Sequence, residues 1–558
     1  MIGDYKENGL RVFLKNININ LCFSIIIIIY SIIIFLGGTL SVECDSNTYM
    51  NFAQSLFNHE PVNLLRGPGY PLFLIATGFV LPGTLIFTLL AQVLMGVLSA
   101  FVILKLFKNE RKAIQLIVFL LIVTTGFNFT GQKILLAEHF LMFILTISMY
   151  FFFKYLESNS IVFFYRAVSL STLAFLTRFE SAGLLISILI VSFFHYYKQR
   201  IKLRQLTIIL LIPILSLSTW SLLRSALNND PKLFGTITNE GGSQLLWSNH
   251  MAQARLTGDS IAVRKIFGGD NNTENTSCSV PNSKECRKNF FDLAQQSKTT
   301  QVVNLLKKEI NLNPSIYKDK VVSLSRDESY ADELSRIWLP IQNQPEKIVD
   351  LYFGNDQKLR STQAILLFQS ILVNKSGAAE SDKLLRAVAL ESFIKHPELI
   401  KSYFGTFFSH FGFNTDSNSF IKPSFTSGID YFVIPFNVVN CARYALNDDQ
   451  FAEYSFFYPQ VIKLEIDNLL SFNRYIYRFV LGFCLLFFLF LIFDRSKQNK
   501  EFDIVLLFTL VFIYLTFTIG MVGPGSKYDV VPGGIGILLI GRTLAYFSHK
   551  FYKVRGVN

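Results

Sequence analysis

Hydrophobic residues fall into long unbroken runs separated by short polar stretches. The first run, 21–38 (LCFSIIIIIYSIIIFLGG), is long enough to cross a bilayer core of about 30 Å. No small-residue cleavage site follows it, so an anchor is expected rather than a removed signal peptide. Further runs lie near 83–104, 114–127, 134–153, 161–177, 181–196 and 206–222, and three more near 473–494, 503–522 and 530–547. The pattern predicts about ten transmembrane helices. Segment 71–81 is apolar but short, and reads as a surface helix.

Between 223 and 472 the character changes, and Asp, Glu, Asn and Ser accumulate. Apolar positions there recur at helical spacing, as in Ser381–Phe411. A mostly helical water-exposed domain is therefore expected between the seventh and eighth spans. Gly268–Lys288 is its least ordered-looking part. The chain divides into an N-terminal transmembrane module (1–222) carrying a first outer loop (39–82), the inserted domain (223–472) and a C-terminal transmembrane module (473–558).

Composition agrees. Only 16% of the 558 residues are charged against 51% hydrophobic, below the quarter or so usual in soluble domains. Mean hydropathy is +0.37. These values exclude a disordered chain and a wholly soluble enzyme of this size. The net charge of +12 does not imply nucleic acid, because basic residues concentrate in loops of one parity. With a cytoplasmic N-terminus, the inner segments hold Lys105, Lys108, Arg111 and Lys112, then Lys154, then Lys198, Arg200, Lys202 and Arg204, and finally Lys550, Lys553 and Arg555. This matches the positive-inside pattern and puts 223–472 outside. The six cysteines form no metal-ligand spacing. A disulfide between Cys278 and Cys286 is open, and Cys22 and Cys484, within apolar runs, are expected as buried thiols.

The short outer loops hold four cations, Arg66, Lys133, Arg178 and Lys527, each near a membrane boundary. Single basic residues there can snorkel to lipid. Taken together, the four suit a bound lipid phosphate. The first outer loop is the richest segment: Glu43-Cys44-Asp45, Tyr49, then Arg66-Gly67-Pro68-Gly69-Tyr70-Pro71. A carboxylate just after a span can take a proton from a hydroxyl nucleophile, or the Glu43/Asp45 pair can hold a divalent cation with waters. An isolated pair of this kind is more often a solvated helix end. His139 beside Glu138 is a poor metal pair, because adjacent helical residues point about 100° apart.

An acidic motif after the first span, a Tyr four residues on, and a basic residue before Pro68-Gly69-Tyr70-Pro71 resemble the GT-C superfamily of membrane glycosyltransferases. The likeness is greatest to its polyprenyl-phosphate-sugar-dependent branch, which includes protein O-mannosyltransferases and the lipid A aminoarabinose transferase. Leu136-Ala137-Glu138, Leu176-Thr177-Arg178-Phe179-Glu180, Ile394-Lys395-His396-Pro397-Glu398 and Lys527-Tyr528 with Pro532 also resemble elements of these enzymes. The chain departs from them in having Gly67-Pro68 where many have Pro-Pro, Lys527 for the commoner Arg, and a Cys between its two acidic residues.

The resemblance implies a GT-C-like polytopic helical protein with a mostly helical extracytoplasmic domain. It implies inverting transfer of a sugar from a polyprenyl-phosphate donor to a hydroxyl on a glycan, lipid or protein. Asp45 would be the base, with Glu43 beside it. Arg66, Arg178, Lys527, Lys133 and Tyr49 would hold the donor phosphate. Tyr70, Glu138, Glu180 and Tyr528 would orient substrate. No cofactor is implied beyond the cation at Glu43/Asp45, and the other partner is membrane lipid, not nucleic acid. The AT-rich-looking composition points to a bacterium, hence to the cytoplasmic membrane with an outward-facing site. A transporter or flippase of a lipid-linked or anionic substrate is the rival class, although no internal repeat is visible and the charges gather at one face. A membrane O-acyltransferase would need an intramembrane His, for which only His139 and His195 offer themselves. An oligosaccharide ligase using a diphosphate-linked donor is a third alternative.

Overall fold

The computed structural model describes residues 19–37, 44–62, 66–81, 84–125, 137–234, 241–256, 290–317, 344–354, 362–400 and 535–548, with positions 135, 482 and 511 besides. The 473–494 and 503–522 runs, the 268–288 stretch, Cys278, Cys286, Glu43, Lys133, Lys527 and Tyr528 lie outside these residues. The described residues are helical, with no strand among them.

The N-terminal part runs α1 (Ile19–Gly37), α2 (Cys44–Phe57), α3 (Gly69–Ala76), α4 (Leu85–Leu106), α5 (Lys112–Thr125), α6 (Ala137–Ser158), α7 (Ile161–Thr177), α8 (Ala182–Tyr197) and α9 (Leu203–Leu227). Three of these, α4, α6 and α9, are long and apolar enough to cross a membrane. The apolar helices α5, α7, α8 and α15 (Ile535–Ser548) are shorter. Helices thus form at every apolar run of 1–222, as hydrocarbon demands, because only a helix satisfies its own backbone groups there.

The helices α6 and α7 form a hairpin. Its two-residue turn puts Asn159 at φ 54°, a left-handed conformation that Asn tolerates. Ser148 then donates to the Ala167 carbonyl at 2.7 Å across the pair. The buried faces of α4 to α8 build one apolar core, joined by Ile535 to Ala545 of α15. The opposite face of α4 exposes Leu90, Leu94 and Leu98, one stripe at helical spacing that suits lipid. Cys22 is exposed on α1, contrary to expectation. An apolar run in lipid needs no protein neighbour to stay out of water, so hydrophobicity alone does not bury a thiol in the protein.

Further along come α10 (Gly241–Leu256), α11 (Lys298–Leu312), α12 (Lys347–Phe353), α13 (Thr362–Ser376) and α14 (Ala378–Lys395). They share a second core, from Leu246 through Val302, Leu306, Tyr352 and Phe368 to Leu385 and Val388. Asn249 donates to the Ala389 carbonyl at 2.6 Å, tying α10 to α14. Within the stretch 381–411, α14 ends at Lys395, because His396 precedes Pro397 and the residue before proline disfavours the helical region. Helix resumes at Leu399 and Ile400, and 401–411 lie outside the described residues. Arg224 of α9 is buried, and Asp382 of α14 accepts from the Gly242 amide at 2.5 Å.

Candidate active site

Asp45 lies in the first turn of α2, where the helix dipole favours a carboxylate. Thr48 and Tyr49 follow it by three and four residues, the spacing of one helical face. These two residues hold Arg66. Its Nε donates to Thr48 Oγ1 at 3.3 Å, and its guanidinium carbon lies 5.2 Å from the Tyr49 ring centroid. A guanidinium so placed gains from the ring's negative face. The Tyr49 ring meets Tyr70 edge-on, with centroids 5.2 Å apart and planes at 86°.

Tyr70 is fully buried and its hydroxyl donates to Gln92 Oε1 of α4 at 2.7 Å. Burial first, then the charge of Glu138 and the neighbouring Tyr49, push the Tyr70 hydroxyl well above its usual pKa. It therefore stays a protonated donor. Gln92 carries no signature except its polarity within an apolar run. That was the one signal available for it, since polar groups within spans have to be paired by the fold.

The second cation enters from the break between α7 and α8. Arg178 leaves the helical region (φ −147°, ψ 133°) and a 3-10 turn, Phe179–Ser181, carries the chain into α8. Ser181 Oγ donates to the Arg178 carbonyl at 2.8 Å, which steadies the break. The Arg178 guanidinium pairs with Oε1 of Glu138, at the start of α6. Oε2 of Glu138 is also buried and meets no hydrogen-bond partner among the described residues. A buried carboxylate oxygen in that state costs free energy unless a donor reaches it.

Glycines join the two halves. A Cβ on Gly67 would overlap the Leu176 carbonyl and lie 2.9 Å from its carbon. One on Gly69 would overlap Thr177 Oγ1 and lie 2.9 Å from Thr177 Cα. The loop carrying Arg66 thus rests directly on the last turn of α7, just before Arg178. This close approach leaves no room for a side chain at either position. Gly69→Val is expected to force the loop outward at about 1–3 kcal/mol, the usual range for overpacking. Its thermal midpoint should fall, while Leu72→Val, at a half-exposed position of α3, should change little.

Beneath α2, Phe52 and Val62 pack with Trp220 of α9, while Leu176 and Leu227 flank them. The helix bearing Asp45 is therefore braced against α9. Of the expected site residues, Tyr49, Arg66, Tyr70, Glu138 and Arg178 form this one assembly. Asp45 belongs to it through its place in α2, and Glu180 through its place in the 3-10 turn. Glu43, Lys133, Lys527 and Tyr528 fall outside the described residues. Thr48 and Gln92 are additions.

Comparison with solved structures finds two crystal structures of ArnT from Cupriavidus metallidurans. One is bound to undecaprenyl phosphate: 12% identity, covering 95% of this chain and 78% of that one, TM-score 0.31. The other is the apo state, at 10% identity over 93% and 77%, with the same TM-score of 0.31. Scores this low do not establish a shared fold. No curated protein matches the chain. Residues 67–233, from the glycine loop to the turn after α9, match the dolichyl-phosphate-mannose-protein mannosyltransferase family, which bears out the resemblance to GT-C glycosyltransferases over that part of the chain.

Proposed function

We propose that the chain is an inverting glycosyltransferase that moves a sugar from a polyprenyl-phosphate donor to a hydroxyl acceptor at the outer face of the membrane. The observation that carries this reading is the packing of the Arg66 loop against the end of α7 that leads into Arg178. Gly67 and Gly69 rest on Leu176 and Thr177, so the segments bearing these two cations adjoin. That junction lies beside the helix whose first turn holds Asp45.

In this mechanism the acceptor oxygen attacks the anomeric carbon from the face opposite the lipid phosphate. Asp45 accepts the hydroxyl proton as the new C–O bond forms, with Glu43 close in sequence as a second carboxylate. The bond from the anomeric carbon to the phosphate oxygen breaks, and the electron pair leaves with the lipid phosphate. Arg66 and Arg178 meet the charge that gathers there, and such preorganised stabilisation is usually the largest catalytic contribution. Lys133 and Lys527 would add to it from the other outer loops. Tyr49 supports Arg66, and Tyr70 with Gln92 fixes Tyr49. Glu138 orients Arg178 through Oε1 and offers Oε2 to a sugar hydroxyl. Glu180 and Tyr528 would line the sugar side, and a divalent cation at Glu43 and Asp45 would help to order the acceptor. The helices α10 to α14 would select a glycan, lipid or protein.

Purified protein incubated with polyprenyl-phosphate sugars and a cell-envelope extract supplying hydroxyl acceptors should release free polyprenyl phosphate and glycosylated acceptor, read by mass spectrometry. A transporter would instead move the lipid-linked sugar between leaflets with no bond broken. Release of lipid phosphate at the rate of a protein-free control, with flipping observed, would transfer the assignment to the rival class.

The orientation follows from the basic loops. In a background without native cysteines, Asn311→Cys should react with a membrane-impermeant thiol reagent in intact cells. Asn109→Cys should react only after permeabilisation. The reverse pattern would invert the protein and move the site to the cytoplasm.

A further inference from the structure

A second cluster of charge lies far from the Arg66–Arg178 assembly. The Leu85 end of α4 shares a core with Tyr49 and Tyr70, while Lys105 closes the same 22-residue helix. At 1.5 Å per residue the two ends are about 33 Å apart, roughly a bilayer thickness. Around Lys105 opens a cavity of about 130 Å³, lined among others by Lys105, Lys108, Lys154, Arg542, Glu110 and Glu157.

The cavity is built rather than incidental. Arg542, on α15, is 2% exposed. It donates to the Leu106 carbonyl at 2.6 Å, pairs with Glu110 at 3.2 Å, and lies 4.9 and 3.9 Å from the Phe107 and Phe153 centroids. Lys154 pairs with Glu157 at 2.5 Å. The lining thus sets four cations against two carboxylates. The Lys105 and Lys154 ammoniums are moreover gathered 5.5 and 5.9 Å from a single ring, that of Tyr150. The two carboxylates offset two of the four charges, and the positive excess left around one half-enclosed space favours a further anion there.

We propose that this cavity binds the phosphate of an anionic phospholipid headgroup. Basic pockets between transmembrane helices recognise lipid phosphates in this way, and the position one span away from the first site places it at headgroup level of the other leaflet. Arg542 and Phe153 would form its floor and the three lysines its rim. None of these residues belongs to the Arg66–Arg178 site, so the proposal does not depend on the glycosyltransferase reading.

The test uses the full chain in nanodiscs of phosphatidylcholine, with and without phosphatidylglycerol, and native mass spectrometry to count retained lipid. Wild type should retain phosphatidylglycerol in preference to phosphatidylcholine. The triple variant Lys105→Gln, Lys108→Gln, Lys154→Gln should lose that preference by about tenfold or more, given the attraction of each basic residue for anionic headgroups. Glu157→Gln, which removes a rim carboxylate, should raise retention, and this arm reads the site even if the triple variant folds poorly. Unchanged retention in both variants would overturn the proposal. So would saturable binding of inorganic phosphate alone to wild type with no preference for phosphatidylglycerol, which would make the site one for a free anion.

Discussion

Asp45→Asn is expected to lower the turnover of sugar transfer by about 10²–10⁴, the usual worth of a positioned general base. Donor binding and thermal stability should stay near wild type. Asparagine keeps the shape and the helix-starting character of aspartate, so α2 and its packing through Phe52 and Trp220 should persist. What is lost is the ability to take the acceptor proton. Turnover measured at saturating donor separates this from a binding defect. Asp45→Asn protein retaining more than roughly a tenth of wild-type turnover would remove Asp45 from the role of base, and Glu43→Gln would be the next variant to measure.

The second large effect belongs to the cations. Arg66→Gln and Arg178→Gln should each reduce kcat by about 10²–10³, the range seen when one preorganised donor to a developing anion is removed. Both should also weaken donor binding, because the phosphate is already charged in the ground state, but turnover should suffer more. Lysine at 66 should recover only part of the loss. It keeps the charge but cannot donate to Thr48, lie over Tyr49 and grip phosphate with two prongs at once.

Arg178 differs in one respect. Its partner Glu138 has a side chain only 6% exposed, so removing the cation alone leaves a buried carboxylate and a destabilisation of about 3–5 kcal/mol. The double variant Arg178→Gln, Glu138→Gln should regain stability without regaining activity. Recovery of both together would make the pair a structural strut and not part of the donor site.

Much of this was legible in the sequence, for identifiable reasons. Each apolar run from 21 to 222 became a helix because long hydrocarbon-facing segments have no other way to satisfy their backbone. The Arg66 loop and Arg178 stood out because cations on the sparsely basic side of a membrane protein need a reason to be there. That the Arg66 loop adjoins the segment bearing Arg178 was not legible, since it depends on two glycines touching the end of a helix more than a hundred residues away in the chain. Gln92 was missed for the same reason, because spacing along α4 does not reveal that Tyr70 will reach it. Cys22 was misread because burial in lipid and burial in protein share one hydrophobic signature.

The central claim is that a lipid phosphate sits between two guanidiniums at the outer boundary. A cryo-electron microscopy structure of the full chain with a non-transferable polyprenyl-phosphate sugar tests it directly. The account predicts phosphate oxygens about 2.7–2.9 Å from guanidinium nitrogens of both Arg66 and Arg178, the distance of charge-assisted hydrogen bonds. A phosphate more than one solvent layer from both would contradict it.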